Sequence, residues 1–412
     1  MTFIKLLFAF LFLSTTAHAQ SNYSLAKNKH YNELEENLRK QPGKDSALWT
    51  GILKSAFNQP VQSERLLTRF NAAQFPDSIA YLYLNARYDN NLNLFNYRKG
   101  ADIGEILITK YKRSYTPDSY QTMQEDVAVW KTVSAIPPQE LQKNGDNVIP
   151  LMHDKFGLQK VTVKVEDKDY DFVFDTGASI CTVIESFAKK IGVKIISDSL
   201  IYTKAIAGNI VSGRMGVLDE LSIGNIKAQH VLFYVFPDSV LSFAGGQLVI
   251  PAILGFPVIK SFGTFTQTKT AINIPAADPV MENVHHNFIV QDQVPIIYLK
   301  AFDREVPFAF DTGDNDILLN KIFYETFRSR LKGKFSMGSE TGAGGSATFK
   351  ALVLDSLTLF VGAQPATFKK ISVNTENYHI SGEEYYGNIG QALITKFRSM
   401  TISFTNARIS FE

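Results

Sequence analysis

The sequence predicts an all-α N-terminal region of helical hairpins, followed by a mainly β region built from two copies of one unit. Three observations carry that prediction. Apolar residues recur at near-helical spacing up to about residue 136. The texture changes to short alternating runs beyond Pro137-Pro138. The second texture then repeats itself at a fixed offset, the one that carries Asp175 onto Asp311. At roughly 100–200 residues per domain, a chain of 412 residues is expected to hold two to four domains.

Composition narrows the function. Hydrophobic residues make up 45% and charged residues 20%, enough apolar material for packed cores and against wholesale disorder. Net charge is +2, and the densest basic patch, Lys110, Lys112 and Arg113, is short, so nucleic-acid binding is not expected. The single cysteine, Cys181, excludes an internal disulfide framework and a cysteine-based metal site. It follows Ile180 in an apolar run and reads as a small buried hydrophobe.

Residues 1–19 read as a secretory signal peptide. Lys5 precedes the apolar run Leu6 to Leu13, and Ala17-His18-Ala19 supplies the cleavage site. That run is far short of the ~20 residues that span a bilayer, and no longer one follows. The mature chain is expected to be exported, periplasmic or extracellular, without a membrane span. Residues 20–136 form the helical domain. Leu25, Tyr31, Leu34 and Leu38 keep near-helical spacing, and Glu35 and Glu36 precede Arg39 and Lys40 by four residues. Pro60 and Ser78 stand where helices would begin, and Thr116-Pro117 is an N-cap with proline at the first helical position. With the runs Ile79 to Leu84 and Ile103 to Tyr111, five or six helices are expected, with Trp49 and Trp130 as core anchors. Such hairpins suit a repeat-type module that binds a protein partner, and equally a region that only packs on its neighbour.

The polar stretch from Pro137-Pro138 through Asp146 is the expected domain boundary. Beyond it, Val161-Thr-Val-Lys-Val165 alternates as a half-buried strand does. The segment from Val161 to Phe174-Asp175-Thr176-Gly177 aligns without a gap on Ile297 to Phe310-Asp311-Thr312-Gly313. Further on, Ala252-Ile-Leu-Gly255 aligns on Gly387-Asn-Ile-Gly390, and the step from Asp175 to Gly255 matches that from Asp311 to Gly390 to within one position. Two signals kept at matching spacing across a duplication define two units, 147–277 and 290–412. His285-His286 between them reads as solvated linker, and Asp219-Glu220 as surface without a visible partner.

At these residues the chain resembles the retropepsin-like aspartic proteases, of a bacterial type with two Asp-Thr-Gly lobes in one chain as in the pepsin architecture. The resemblance covers about residues 147–412 and implies a mainly β bilobal fold of two retropepsin-like β-barrel lobes. It implies an aspartic endopeptidase acting on polypeptide, with Asp175 and Asp311 as the catalytic pair and neither metal nor cofactor. Two facing carboxylates cannot both ionise easily, so they share a proton, one serving as base to a water and the other as acid to the scissile carbonyl. The resemblance further implies that Thr176 and Thr312 hydrogen-bond across the lobe junction. Gly177 and Gly313 allow the sharp turn beside the carboxylates, and Gly255 and Gly390 pack behind it. Flap candidates are Ala207, Gly208 and Asn209 in the first copy and Gly342, Gly344 and Gly345 in the second; each segment also suits an idle loop. Asp314 departs from the pattern, since the family usually has a small or hydroxyl residue there. The alternative is therefore a catalytically impaired peptide- or protein-binding module on the same fold.

Overall fold

The computed structural model describes residues 22–204, 209–279, 281, 284–376 and 385–412. The expected export signal lies outside the described residues, as do Ala207 and Gly208. Residues 22–132 are helical. After a short helical stretch over 22–27, helices run from Tyr31–Lys40 through Ser46–Ala56, Pro60–Leu67, Asp77–Asn93 and Tyr97–Lys110 to Pro117–Thr132, each packed on the next. Local chemistry sets several of their ends. Pro60 and Pro117 occupy first-turn positions where no N–H partner is needed. The Thr116 hydroxyl accepts the Ser119 N–H at 3.2 Å. Tyr31–Lys40 carries Glu33 in its first turn and Arg39 and Lys40 in its last, matching the helix dipole. Trp49 and Trp130 are buried, as core anchors should be. Among the described residues no helix is long and apolar enough to cross a membrane.

The remainder is mainly β. Strands Gln159–Val165 and Lys168–Phe174 form a hairpin that sets Val161 opposite Phe172. Strands Val294–Ala301 and Arg304–Phe310 form its repeat, with Ile297 opposite Phe308, and every pair in one hairpin recurs at the equivalent position of the other. Inward valines at 161, 163 and 165 alternate with more exposed neighbours, the pattern of a strand with one face on a core. Each hairpin ends beside a parallel strand that leads to the second glycine: Leu254 pairs with Phe174, and Ile389 with Phe310. The first copy lies in a ten-stranded sheet and the second in an eight-stranded one.

A five-stranded sheet joins the ends of the two copies through the antiparallel pair Thr264–Thr268 and Ser399–Ser403. At its centre Thr266 faces Thr401, its own equivalent in the repeat, with the two hydroxyl oxygens 2.8 Å apart. A residue meeting its own counterpart is the register that a local two-fold axis requires.

The helices are seated on both copies, and one apolar core runs from them into the sheets. Asn93, the last residue of helix Asp77–Asn93, gathers the contact. Its side-chain oxygen accepts Lys260 Nζ at 2.7 Å from the first copy and Gln293 Nε2 at 3.0 Å from the second. Lys260 also donates to the Asn93 carbonyl at 3.3 Å, one of the carbonyls that a helix end leaves without a partner of its own. Helix Pro117–Thr132 packs against strand Ile201–Lys204 of the first copy.

Two expectations about connecting segments change. Within the stretch read as linker, Glu140–Lys143 pairs antiparallel with strand Ile226–Phe236, and next to it Asn147–Pro150 pairs with Ala271–Ile274. The passage from helical to β texture is thus held in two sheets. His286 is not solvated: it is 9% exposed, stacked on Phe57 at 3.9 Å between centroids, with Nδ1 2.8 Å from the Asn406 carbonyl. A histidine that can stack and hydrogen-bond together loses little by leaving water.

Candidate active site

Asp175 and Asp311 each stand one residue beyond a hairpin strand, and the folding back of the two copies brings them together. Their backbones are held alike: Asp175 N–H donates to the Leu254 carbonyl and Asp311 N–H to the Ile389 carbonyl, both at 3.1 Å. Between them lies a reciprocal cradle of threonines. Thr176 N–H donates to Thr312 Oγ1 and Thr312 N–H to Thr176 Oγ1, both at 3.0 Å. The hydroxyls then donate across the junction, Thr176 to the Phe310 carbonyl at 2.8 Å and Thr312 to the Phe174 carbonyl at 2.9 Å. Both threonines are 0% exposed, so four backbone groups that water cannot reach are satisfied by two side chains.

The glycines make room for the carboxyls. A Cβ on Gly313 would lie 2.6 Å from Asp175 Cγ, and one on Gly177 would collide with the Asp311 carboxyl. Each aspartate is thus pressed against the other copy's glycine, where any side chain would part the pair. Gly255 lies behind the first turn, with the Ala178 carbonyl 2.8 Å from where a Cβ would stand, and its N–H donates to Cys181 Sγ at 3.2 Å. Cys181 is buried there, its thiol pushed up to about 12 by desolvation, which fits a packing role.

The two carboxyl groups hydrogen-bond each other. Surrounded by protein yet still partly reached by solvent, both are held above the ordinary carboxylate range, first by burial. Asp311 is raised the more, because the Asp175 charge and their shared hydrogen bond add to its burial. Asp175 Oδ1 accepts two backbone N–H groups, from Gly177 at 2.8 Å and Ala178 at 3.1 Å, whereas Asp311 Oδ1 accepts one, from Gly313 at 2.8 Å. The pair therefore shares its proton unequally, with the charge favoured on Asp175 and the proton on Asp311.

Asp314 neither points to solvent nor displaces the pair. Its Oδ1 accepts the Asp316 N–H at 2.9 Å and its Oδ2 accepts Asn388 Nδ2 at 3.0 Å. Burial and the nearby Asp311 push its carboxyl up to about 7. Glu340, which the sequence reading missed, lies in the same field. One of its oxygens is shielded from water without a hydrogen-bond partner among the described residues, and burial, then Asp314 and Asp311, push it up to about 7.

Glu340 belongs to a long hairpin, Gly333–Gly342 with Gly345–Val361, whose two-residue tip uses positive φ at Gly344. That tip reaches the first copy. Gly344 N–H donates to the Val240 carbonyl at 3.0 Å, and its carbonyl accepts Asn209 Nδ2 at 3.3 Å. Gly342, Gly344 and Gly345 of the second flap candidate thus lie beside Asn209, the one residue of the first candidate among the described residues. Among the described residues no cluster of His, Cys, Asp and Glu is arranged to hold a metal ion.

This arrangement can hold one proton between two carboxyls beside solvent, the equipment for activating water without a cofactor. A comparison with curated proteins finds no match to the chain. Residues 161–258 match the family model described as aspartyl protease, a span that includes Asp175-Thr176-Gly177 and Gly255, and this match supports a retropepsin-like aspartic protease family for the first of the two copies.

Proposed function

We propose that the protein is an exported, two-lobed aspartic endopeptidase, working in the periplasm or outside the cell, with Asp175 and Asp311 as its catalytic pair. The observation that carries this reading is the reciprocal threonine cradle, which presents two hydrogen-bonded carboxyls from the two copies at one point. Asp175 takes a proton from water as the oxygen attacks the scissile carbonyl carbon, while Asp311 gives its proton to the carbonyl oxygen. Collapse of the tetrahedral diol returns a proton to Asp311, and the proton held by Asp175 goes to the leaving amide nitrogen. The substrate is a polypeptide in extended form, enclosed by the two hairpins that meet at Asn209 and Gly344. The helical region braces both copies through Asn93.

A second reading, a peptide-binding module with an idle pair, is favoured by the additional carboxyls of Asp314 and Glu340. Cleavage of a denatured protein, blocked by a peptide carrying a tetrahedral hydroxyl-bearing carbon in place of the scissile carbonyl, separates the two. Such analogues bind about 10²-fold or more tighter than substrates of a working enzyme. Binding of both peptides without cleavage would leave the module reading.

A further inference from the structure

The second copy departs from the first at two positions that touch each other. Asn388 and Ile253 occupy the same place in the two sheets. Ile253 pairs in parallel with Val173 and antiparallel with Thr182; Asn388 pairs in parallel with Ala309 and antiparallel with Leu318. The first copy is apolar there and has Ala178 after its Asp-Thr-Gly. The second has an amide and a carboxyl, Asn388 and Asp314. Asn388 is 5% exposed, and an amide so buried is costly unless bonded. Its Nδ2 lies 3.0 Å from Asp314 Oδ2 and 3.3 Å from Asp311 Oδ2, one hydrogen for each carboxyl.

We propose that Asn388 is a positioning residue of the catalytic centre, tying Asp311 and Asp314 into one Asp-Asn-Asp unit that fixes the second half of the site. The proposal rests on the endopeptidase reading for its kinetic consequences, though its geometry does not. The first copy orients Asp175 with a second backbone N–H, from Ala178. In the second copy the Asp314 N–H turns to the Asp311 main-chain carbonyl at 3.3 Å, so Asp311 lacks that donor and the Asn388 side chain takes its place. Asp314 then serves as the other anchor of the amide, held in turn by the Asp316 N–H. The titratable groups facing the unit are Asp175, Asp311, Asp316 and, from the opposing hairpin, Glu340; among the described residues none of them pairs with a cation. An amide N–H stabilises the ionised form of both carboxyls it touches. Losing it moves the pH profile towards alkaline values, and losing the Asp314 charge moves the profile towards acid.

Three variants test this: Asn388→Leu, Asp314→Ala, and the double variant, which rebuilds the apolar arrangement of the first copy. In Asn388→Leu, kcat should fall about 10–100-fold with KM little changed, because a misdirected acid fails in the transition state and not in binding. Its pH profile should move to the alkaline side. The double variant should recover most of the lost kcat, with its profile on the acid side of the single variant. Should Asn388→Leu fail to fold, Asn388→Ser, whose hydroxyl can serve only one carboxyl, should give an intermediate loss. An unchanged pH profile in Asn388→Leu, or a double variant no better than the single, would overturn the proposal. A wild-type protein without cleavage would refute the endopeptidase reading alone. Titration of ¹³C-labelled aspartate carboxyls then decides this point: two midpoints must rise in Asn388→Leu, and unchanged midpoints would overturn the unit.

Discussion

Replacing Thr176 with valine removes one hydroxyl and keeps the side-chain volume. That hydroxyl accepts the Thr312 N–H at 3.0 Å and donates to the Phe310 carbonyl at 2.8 Å, at a position 0% exposed. Both backbone groups would be left without a partner and without water. An orphaned buried group costs about 1–3 kcal/mol, so the pair costs about 2–6 kcal/mol. With an unfolding entropy of about 2.1 cal/mol/K per residue, a chain of this length loses roughly 2–7 °C of melting temperature. Thr176→Ser keeps both bonds and loses one methyl, about 1 kcal/mol. Differential scanning calorimetry of the two variants beside the wild type reads the difference. Equal melting temperatures for the valine and serine variants would mean that the hydroxyl holds nothing across the junction.

Other outcomes follow from the same geometry. Gly313→Ala places a Cβ against the Asp175 carboxyl, so cleavage should fall about 10²-fold while circular dichroism shows the fold retained. Burial pushes Lys260 down to about 7 from an ordinary 10.5. The unfolded chain therefore binds the extra proton between those values, and stability should rise as pH increases through that window. Urea unfolding of Lys260→Met should lack that rise, and an identical pH dependence would show that the lysine is not desolvated. Glu340, pushed up from 4.5 to about 7, works in the opposite sense: the folded state keeps a proton that the unfolded state loses. The stability it contributes below about 4.5 is lost as pH rises towards 7, and Glu340→Gln should flatten that fall in urea midpoints measured across the interval.

In the β region, what could be read from the sequence was whatever the duplication preserved. The aligned hairpins, both Asp-Thr-Gly turns and the glycines behind them keep their spacing because their backbones keep one register, so spacing alone located them. Asn388 escapes notice because the alignment of Gly387-Asn-Ile-Gly390 on Ala252-Ile-Leu-Gly255 singles out only the glycine that ends it. Its mismatch with Ile253, taken together with the mismatch of Asp314 and Ala178, was the available signal. Glu340 carries no local signal, since only the tertiary path of a long hairpin brings it to the pair. Glu140–Lys143 looked like linker because a short polar edge strand has no apolar alternation, and its partner, Ile226–Phe236, lies far along the chain. His286 owes its burial to Phe57, which no local pattern could connect to it. Asp219 is exposed and Glu220 half-buried, and each meets a lysine, Lys194 and Lys227, in contacts worth little at a surface.

The proposed endopeptidase rests on Asp175 and Asp311 acting as one proton-sharing pair on a peptide bond. Its most direct test is digestion of a denatured protein by the wild type and by Asp175→Asn, from acidic to mildly alkaline pH, with released peptides identified by mass. Peptide release should peak on the acid side for the wild type and be absent throughout for the variant, whose amide cannot take a proton from water. Equal cleavage by both proteins would remove Asp175 from the mechanism and contradict the account.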